Sequence, residues 1–162
     1  MTELSVNIVR ANLEQAEHAD AILSLLSHYA QHPMGGGHSL PPSVIERIIP
    51  GLRAHEGSLV FLAYREERAI GVAVCMRGFS TFRGAPLLNI HDLAVHEDVR
   101  GRGVGKQLLT AVEEEARATG CCRVTLEVRE DNTVARALYE KVGFDGGEPG
   151  GSAMSFFIKP LA

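Results

Sequence analysis

Apolar residues recur at Ala16, Ala19, Leu23, Leu26 and Ala30, three and four positions apart, so the spacing predicts an amphipathic helix over residues 13–30. Residues 5–10 read as a short strand before it. After a loop over residues 32–41 that carries Gly35-Gly36-Gly37, a second helical stripe (Val44, Ile45, Ile48, Ile49, Leu52) runs to residue 55, and Pro50 predicts a break or kink in it. Residues 58–64 and 69–75 are apolar, partly β-branched runs separated by Arg65-Glu66-Glu67-Arg68, the pattern of a hairpin. Residues 87–95 form a third such run. A glycine-rich turn then opens a helix whose apolar face is Val104, Leu108, Leu109, Val112 and Ala116, closed by Gly120. Val124, Leu126 and Val128 alternate with polar residues, which predicts a strand over residues 123–128 lying parallel to its predecessor after a right-handed crossover. A helix over residues 133–142 and a last strand over residues 154–159 complete the pattern. The expected class is α/β (α+β): a mixed, mostly antiparallel sheet with helices on both faces.

Composition narrows the function classes. With 162 residues, 45% of them apolar and 22% charged, the chain suits one globular domain over residues 1–162 with a proper core. Its net charge of −4 offers no global positive field for a nucleic-acid backbone or an anionic membrane, so any anionic ligand must be caught locally. The apolar runs are short, and the first five residues lack a basic start, so a cytoplasmic, unanchored protein is expected. Cys75 and the adjacent Cys121 and Cys122 have no CxxC spacing and read as reduced, buried and structural. His28 and His32 are four apart with His38 nearby, but without HExxH or a third ligand at a defined spacing they predict no metal site.

The segment from Val95 to Lys106 carries the strongest chemical signal. A strand ends, and Gly101, Gly103 and Gly105 precede a helix. Glycines let a backbone approach a ligand closely, and the first free N–H groups of a helix attract anions. Arg100, Arg102 and Lys106 add charge. A dinucleotide fingerprint counted from Gly101 would put its third glycine at Lys106, and a Walker A loop would need one more residue and Ser or Thr at Gln107. Both spacings fail.

What remains is Arg-x-x-Gly-x-Gly at Arg100, Gly103 and Gly105. With Leu93-Ala94-Val95 before it, Asn132 after the next strand, and Ala135-x-x-Leu138-Tyr139-Glu140-Lys141-Val142-Gly143-Phe144 beyond, it resembles the GNAT superfamily of N-acetyltransferases. The resemblance covers residues 87–144. Glu97 departs from it, because the family usually has Pro two residues after the strand's last Val. A fainter likeness to the diamine acetyltransferases lies in Phe79-Ser-Thr-Phe-Arg83 and in His91-Asp92, where that branch carries Glu-Asp.

The resemblance implies a fold whose central parallel strands splay apart, with acetyl-CoA in the cleft. It implies that the backbone of Arg100, Gly101, Arg102, Gly103, Val104, Gly105 and Lys106 binds the pyrophosphate. Leu93, Ala94 and Val95 would pair with the pantetheine arm like an added strand, and Asn132 would anchor it. Asn132 also reads as the N-cap of the helix opening at Thr133. Tyr139 lies on an apolar helix face, which alone would make it core; the resemblance makes it a contact to the coenzyme sulfur and the general acid that returns a proton to the leaving thiolate. An ammonium acceptor must lose a proton before attack, and the candidate bases are His91 and Asp92, polar residues inside an apolar strand. Alternation sends them to opposite faces unless a bulge intervenes.

The expected activity is therefore direct acetyl transfer to the amine of a small molecule or peptide, with Cys75 as a minor alternative nucleophile. The competing function is a non-catalytic acyl-CoA sensor of the same fold. The acidic balance leans toward a cationic acceptor. Homodimers are common in the family.

Overall fold

The computed structural model describes residues 4–146 and 154–161. Five strands form one sheet in chain order: β1 (Asn7–Arg10), β2 (Ser58–Arg65), β3 (Arg68–Ser80), β4 (Ala85–Val95) and β5 (Val124–Leu126). The first three pairings are antiparallel, and β4 pairs with β5 in parallel. This is the predicted mixed, mostly antiparallel α/β class. Contacts divide the chain into two compact units, Met1–Leu126 and Glu127–Ala162.

The first unit buries both faces of its sheet. On one, Ile22 and Leu25 of α1 (Ala16–Gln31) and Ile49 and Leu52 of α2 (Pro42–Ala54) cover Val60, Leu62, Val72 and Val74. Strand neighbours point to opposite sides, so Ala63, Gly71 and Ala73 face the other way, toward α3 (Val104–Ala118). A Cβ built on Gly71 would stand 3.0 Å from Leu108 and 3.3 Å from Val104, so the missing side chain is what lets α3 settle on β3.

Several boundaries differ from the sequence pattern. Pro50 sits inside α2 without ending it, because packing of Ile49 and Leu52 holds the helix through the missing hydrogen bond. β3 runs five residues beyond its apolar stretch, since Met76 to Ser80 find backbone partners on β4. β5 is shorter than predicted and stops at Leu126; Val128 lies outside the ladder. Cys75 is fully buried, whereas Cys121 and Cys122 are only half-buried, and all three are free thiols.

In the second unit, α4 (Thr133–Lys141) is capped by Asn132, whose Oδ1 accepts from the Ala135 N–H at 3.2 Å. The predicted last strand over residues 154–159 is not formed. Residues 154–161 belong to no ladder, and Phe156, Phe157 and Ile158 are exposed. β-Branched and aromatic content suits a residue to a strand, but a strand exists only where a neighbour supplies hydrogen bonds.

Leu108 is fully buried between α3 and the sheet. Leu108→Ala should cost about 2–5 kcal/mol, read as a lower urea midpoint with an unchanged m value.

Candidate active site

The last half of β4 is arranged differently from the first. Cys75 faces Ile90 and Val74 faces Asp92, so one β3 step is matched by two on β4 and His91 is the extra residue of a bulge. The bulge turns the strand over. Leu88 and Ile90 pair with Arg77 and Cys75, whereas beyond it Asp92 and Ala94 pair with Val74 and Val72 on the α1–α2 face. His91 is left exposed and Asp92 half-buried.

The parallel ladder ends at the same place. β5 pairs with Leu88, Asn89 and Ile90 only, and Asn89 Nδ2 donates to Thr125 Oγ1 at 3.1 Å beside it. From His91 to Val95, β4 has a ladder partner on the β3 side alone among the described residues. Backbone donors and acceptors on such an edge seek a partner.

The strand leads into the glycine-rich turn through a 3₁₀ turn, Glu97–Val99, which His96 caps by accepting from the Asp98 N–H. Gly101 and Gly103 have φ of 73° and 82°, in the left-handed region where a Cβ is penalised. Gly103 is the N-cap of α3. Among the described residues, no backbone carbonyl accepts from the N–H groups of Gly101, Arg102, Gly103, Val104 or Gly105. Five unclaimed donors therefore cluster at the positive end of a fifteen-residue helix. Arg100 folds back along the turn, its Nε donating to Val95 O at 3.0 Å, and Lys106 is exposed.

Two residues that the sequence did not single out brace this turn. The Leu4 N–H donates to Arg102 O at 2.8 Å, and Gln107 Nε2 donates to Leu4 O at 2.6 Å. Nothing local announces these contacts, because they join positions about a hundred apart.

Electrostatics separates the titratable groups along β4. Burial raises the Asp92 carboxyl above its ordinary value of 3.8, with His91 acting in the opposite direction. Burial also pushes the Cys75 thiol up to about 12, with Asp92 adding to the rise. A thiol so held stays protonated at neutral pH, which removes the activation a Cys75 nucleophile would need.

The structure thus brings His91, Asp92, Leu93 to Val95 and Arg100 to Lys106 onto one continuous strand, turn and helix of the first unit. Asn132 and Tyr139 belong to the second. There Asn132 fulfils the predicted capping role, and the half-buried Tyr139 ring meets Phe144 edge-on at 5.8 Å.

Comparison with known proteins places this geometry. Residues 21–144 match the family model described as the acetyltransferase (GNAT) family. The chain is 39% identical over 88 residues to the N-alpha-acetyltransferase MAK3 of Arabidopsis thaliana, a match covering 53% of this chain and 44% of that protein. The chain thus spans less than half the length of that curated relative. A crystal structure of a probable acetyltransferase superposes with a TM-score of 0.80 at 26% identity, over 96% of this chain and 98% of that one. The aminoglycoside N-acetyltransferase AAC(6')-Iy in complex with CoA shares the fold, with a TM-score of 0.75 at 20% identity over 98% and 96% of the two chains.

Because burial raises the Asp92 carboxyl, the folded chain holds this proton more tightly than the unfolded chain does. The stabilising contribution of that group is present below the unfolded value and is lost as pH rises through the folded one, so at neutral pH the ionised side chain is a burden. Asp92→Asn should therefore raise the thermal midpoint at pH 7. The gap between variant and parent should close as pH approaches 4, which melts at a series of pH values would reveal.

Proposed function

The chain belongs to the GNAT acetyltransferase family, and from that premise we propose that it transfers the acetyl group of acetyl-CoA directly to a primary amine. The observation that carries the reading is the continuity of the unpaired β4 edge with five unclaimed N–H groups at the start of α3. One offers a strand-like partner to the amide-bearing pantetheine arm, and the other offers donors to a pyrophosphate. The two fit a ligand that carries both groups in sequence, and His91 and Asp92, the residues we assign to deprotonating the acceptor, lie at the bulge before that edge.

Leu93, Ala94 and Val95 bind the arm, Arg100 to Lys106 hold the phosphates, and Asn132 anchors the arm, as the family resemblance implies. Asp92 draws the acceptor in as its ammonium and accepts the proton that must leave; His91, exposed at the bulge, passes it to solvent. A carboxylate whose proton affinity is raised by burial is a better base than an exposed one. The freed amine nitrogen attacks the thioester carbonyl and the C–N bond forms; as the C–S bond breaks, the departing sulfur takes a proton from the Tyr139 hydroxyl, and the second proton that the nitrogen sheds to become an amide passes through solvent to restore the phenol. Backbone N–H groups near Leu93 to Val95 stabilise the negative charge on the carbonyl oxygen. No step uses a cysteine or a metal. The acceptor is the amine of a small molecule or of a peptide, and the name of the Arabidopsis relative speaks for alpha amines.

A screen of acetyl-CoA turnover against alkylamines, aminoglycosides and peptides with free N termini, run on the parent and on Tyr139→Phe, tests the proposal. Loss of the acid should lower kcat about 10²–10⁴-fold while acetyl-CoA still binds. Retained turnover in the variant would remove Tyr139 from the mechanism. A parent that binds acetyl-CoA and acetylates nothing would instead be a sensor.

A further inference from the structure

The segment before β1 meets the glycine-rich turn through a closed set of hydrogen bonds. The Leu4 N–H donates to Arg102 O at 2.8 Å, Gln107 Nε2 donates to Leu4 O at 2.6 Å, and the Gln107 backbone N–H donates to Gly103 O at 3.1 Å as the helix requires. Gln107 Nε2 also stands 3.4 Å from Gly103 O. Leu4 and Gln107 are both half-buried, so water competes less for these bonds than on open surface. The pairing of β1 with β2 fixes the direction from which Leu4 arrives. At the end of β1, Arg10 reaches Glu115 of α3 at 3.4 Å, which ties strand and helix together a second time.

These bonds decide which way one peptide faces. The carbonyl and the N–H of a trans peptide point in opposite directions. Arg102 O and the Gly103 N–H belong to the same peptide, so the bond that draws Arg102 O toward Leu4 turns the Gly103 N–H away from it and leaves that donor unclaimed. The turn alone does not dictate this orientation. Gly103 has φ 82° and ψ 0°, the values of the third residue of a type II turn. A type I turn places that residue at roughly −90° and 0°, with the preceding peptide turned over by about 150°. A glycine adopts either form. In the turned-over form a carbonyl oxygen would replace the N–H and present partial negative charge to an anion.

We propose that Leu4 and Gln107 are positioning residues for the coenzyme's pyrophosphate: through two hydrogen bonds in series they hold the Arg102–Gly103 peptide with its N–H toward the ligand. The inference rests on the reading of this turn as the phosphate site, and adds what keeps that site in its binding form. Neither residue takes part in proton transfer. Because the bonds act in series, breaking either one releases the same peptide, and breaking both adds little to breaking one.

Gln107→Met removes the amide donor without adding charge, and Leu4→Pro removes the N–H that Arg102 O accepts. Amide NMR of the full chain, titrated with acetyl-CoA and with S-acetylpantetheine, reads the effect. Each variant should bind acetyl-CoA roughly tenfold more weakly than the parent, the worth of about one hydrogen bond to a charged group, and the double variant should be little worse. In both, the Gly103 amide should shift before any ligand is added, while Leu93 to Val95 keep their parent positions. S-Acetylpantetheine, which carries no phosphate, should bind parent and variants alike. The proposal is overturned if either variant holds acetyl-CoA as the parent does, if both ligands weaken by the same factor, or if the Gly103 amide does not move. A parent whose turn amides ignore acetyl-CoA would refute the phosphate reading itself and the inference with it, so the two failures are told apart.

Discussion

A parallel strand pair that stops short leaves half of β4 with backbone groups to satisfy, and the chemistry assigned to this protein depends on that constraint. The ladder between β4 and β5 covers Leu88 to Ile90 and ends where His91 bulges on the other side of the strand. Bulge and ladder end coincide, so one irregularity has two consequences. It frees an edge for a strand-like ligand, and it rotates Asp92 onto the α1–α2 face, where burial alters its proton affinity. The free edge then runs directly into a turn whose N–H groups are also unclaimed.

The same strand explains why charge in this chain is divided rather than pooled. Beyond β4 come Arg100, Arg102, Lys106 and the positive end of α3, while carboxylates of α1 and of the hairpin tip line an open cavity together with His96. A net charge of −4 argued against a general anion binder, yet Arg100, Arg102 and Lys106 gather within one turn. Net charge describes the field at a distance, and recognition happens at contact distance.

How much of this was legible in the sequence depended on how local each cause was. The turn was readable because its reasons are local: Gly101 and Gly103 do adopt left-handed φ, and the apolar stripe of α3 is buried as its spacing requires. The hairpin, the parallel crossover and the Asn132 cap were readable for the same reason. The bulge was not, since alternation alone sends His91 and Asp92 to opposite faces and only the pairing of β4 with β3 reveals the extra residue. Residues 154–159 were misjudged because strand composition cannot supply a strand's neighbour. The Leu4–Gln107 brace had no local signal at all.

Amide hydrogen exchange with and without saturating acetyl-CoA tests the central claim most directly, because that claim concerns particular N–H groups. The account predicts new protection at Gly101 to Gly105 and at Leu93 to Val95, with the β2–β3 hairpin unchanged. Saturation of the coenzyme with no added protection in either segment would contradict it, and would place acetyl-CoA elsewhere on the chain.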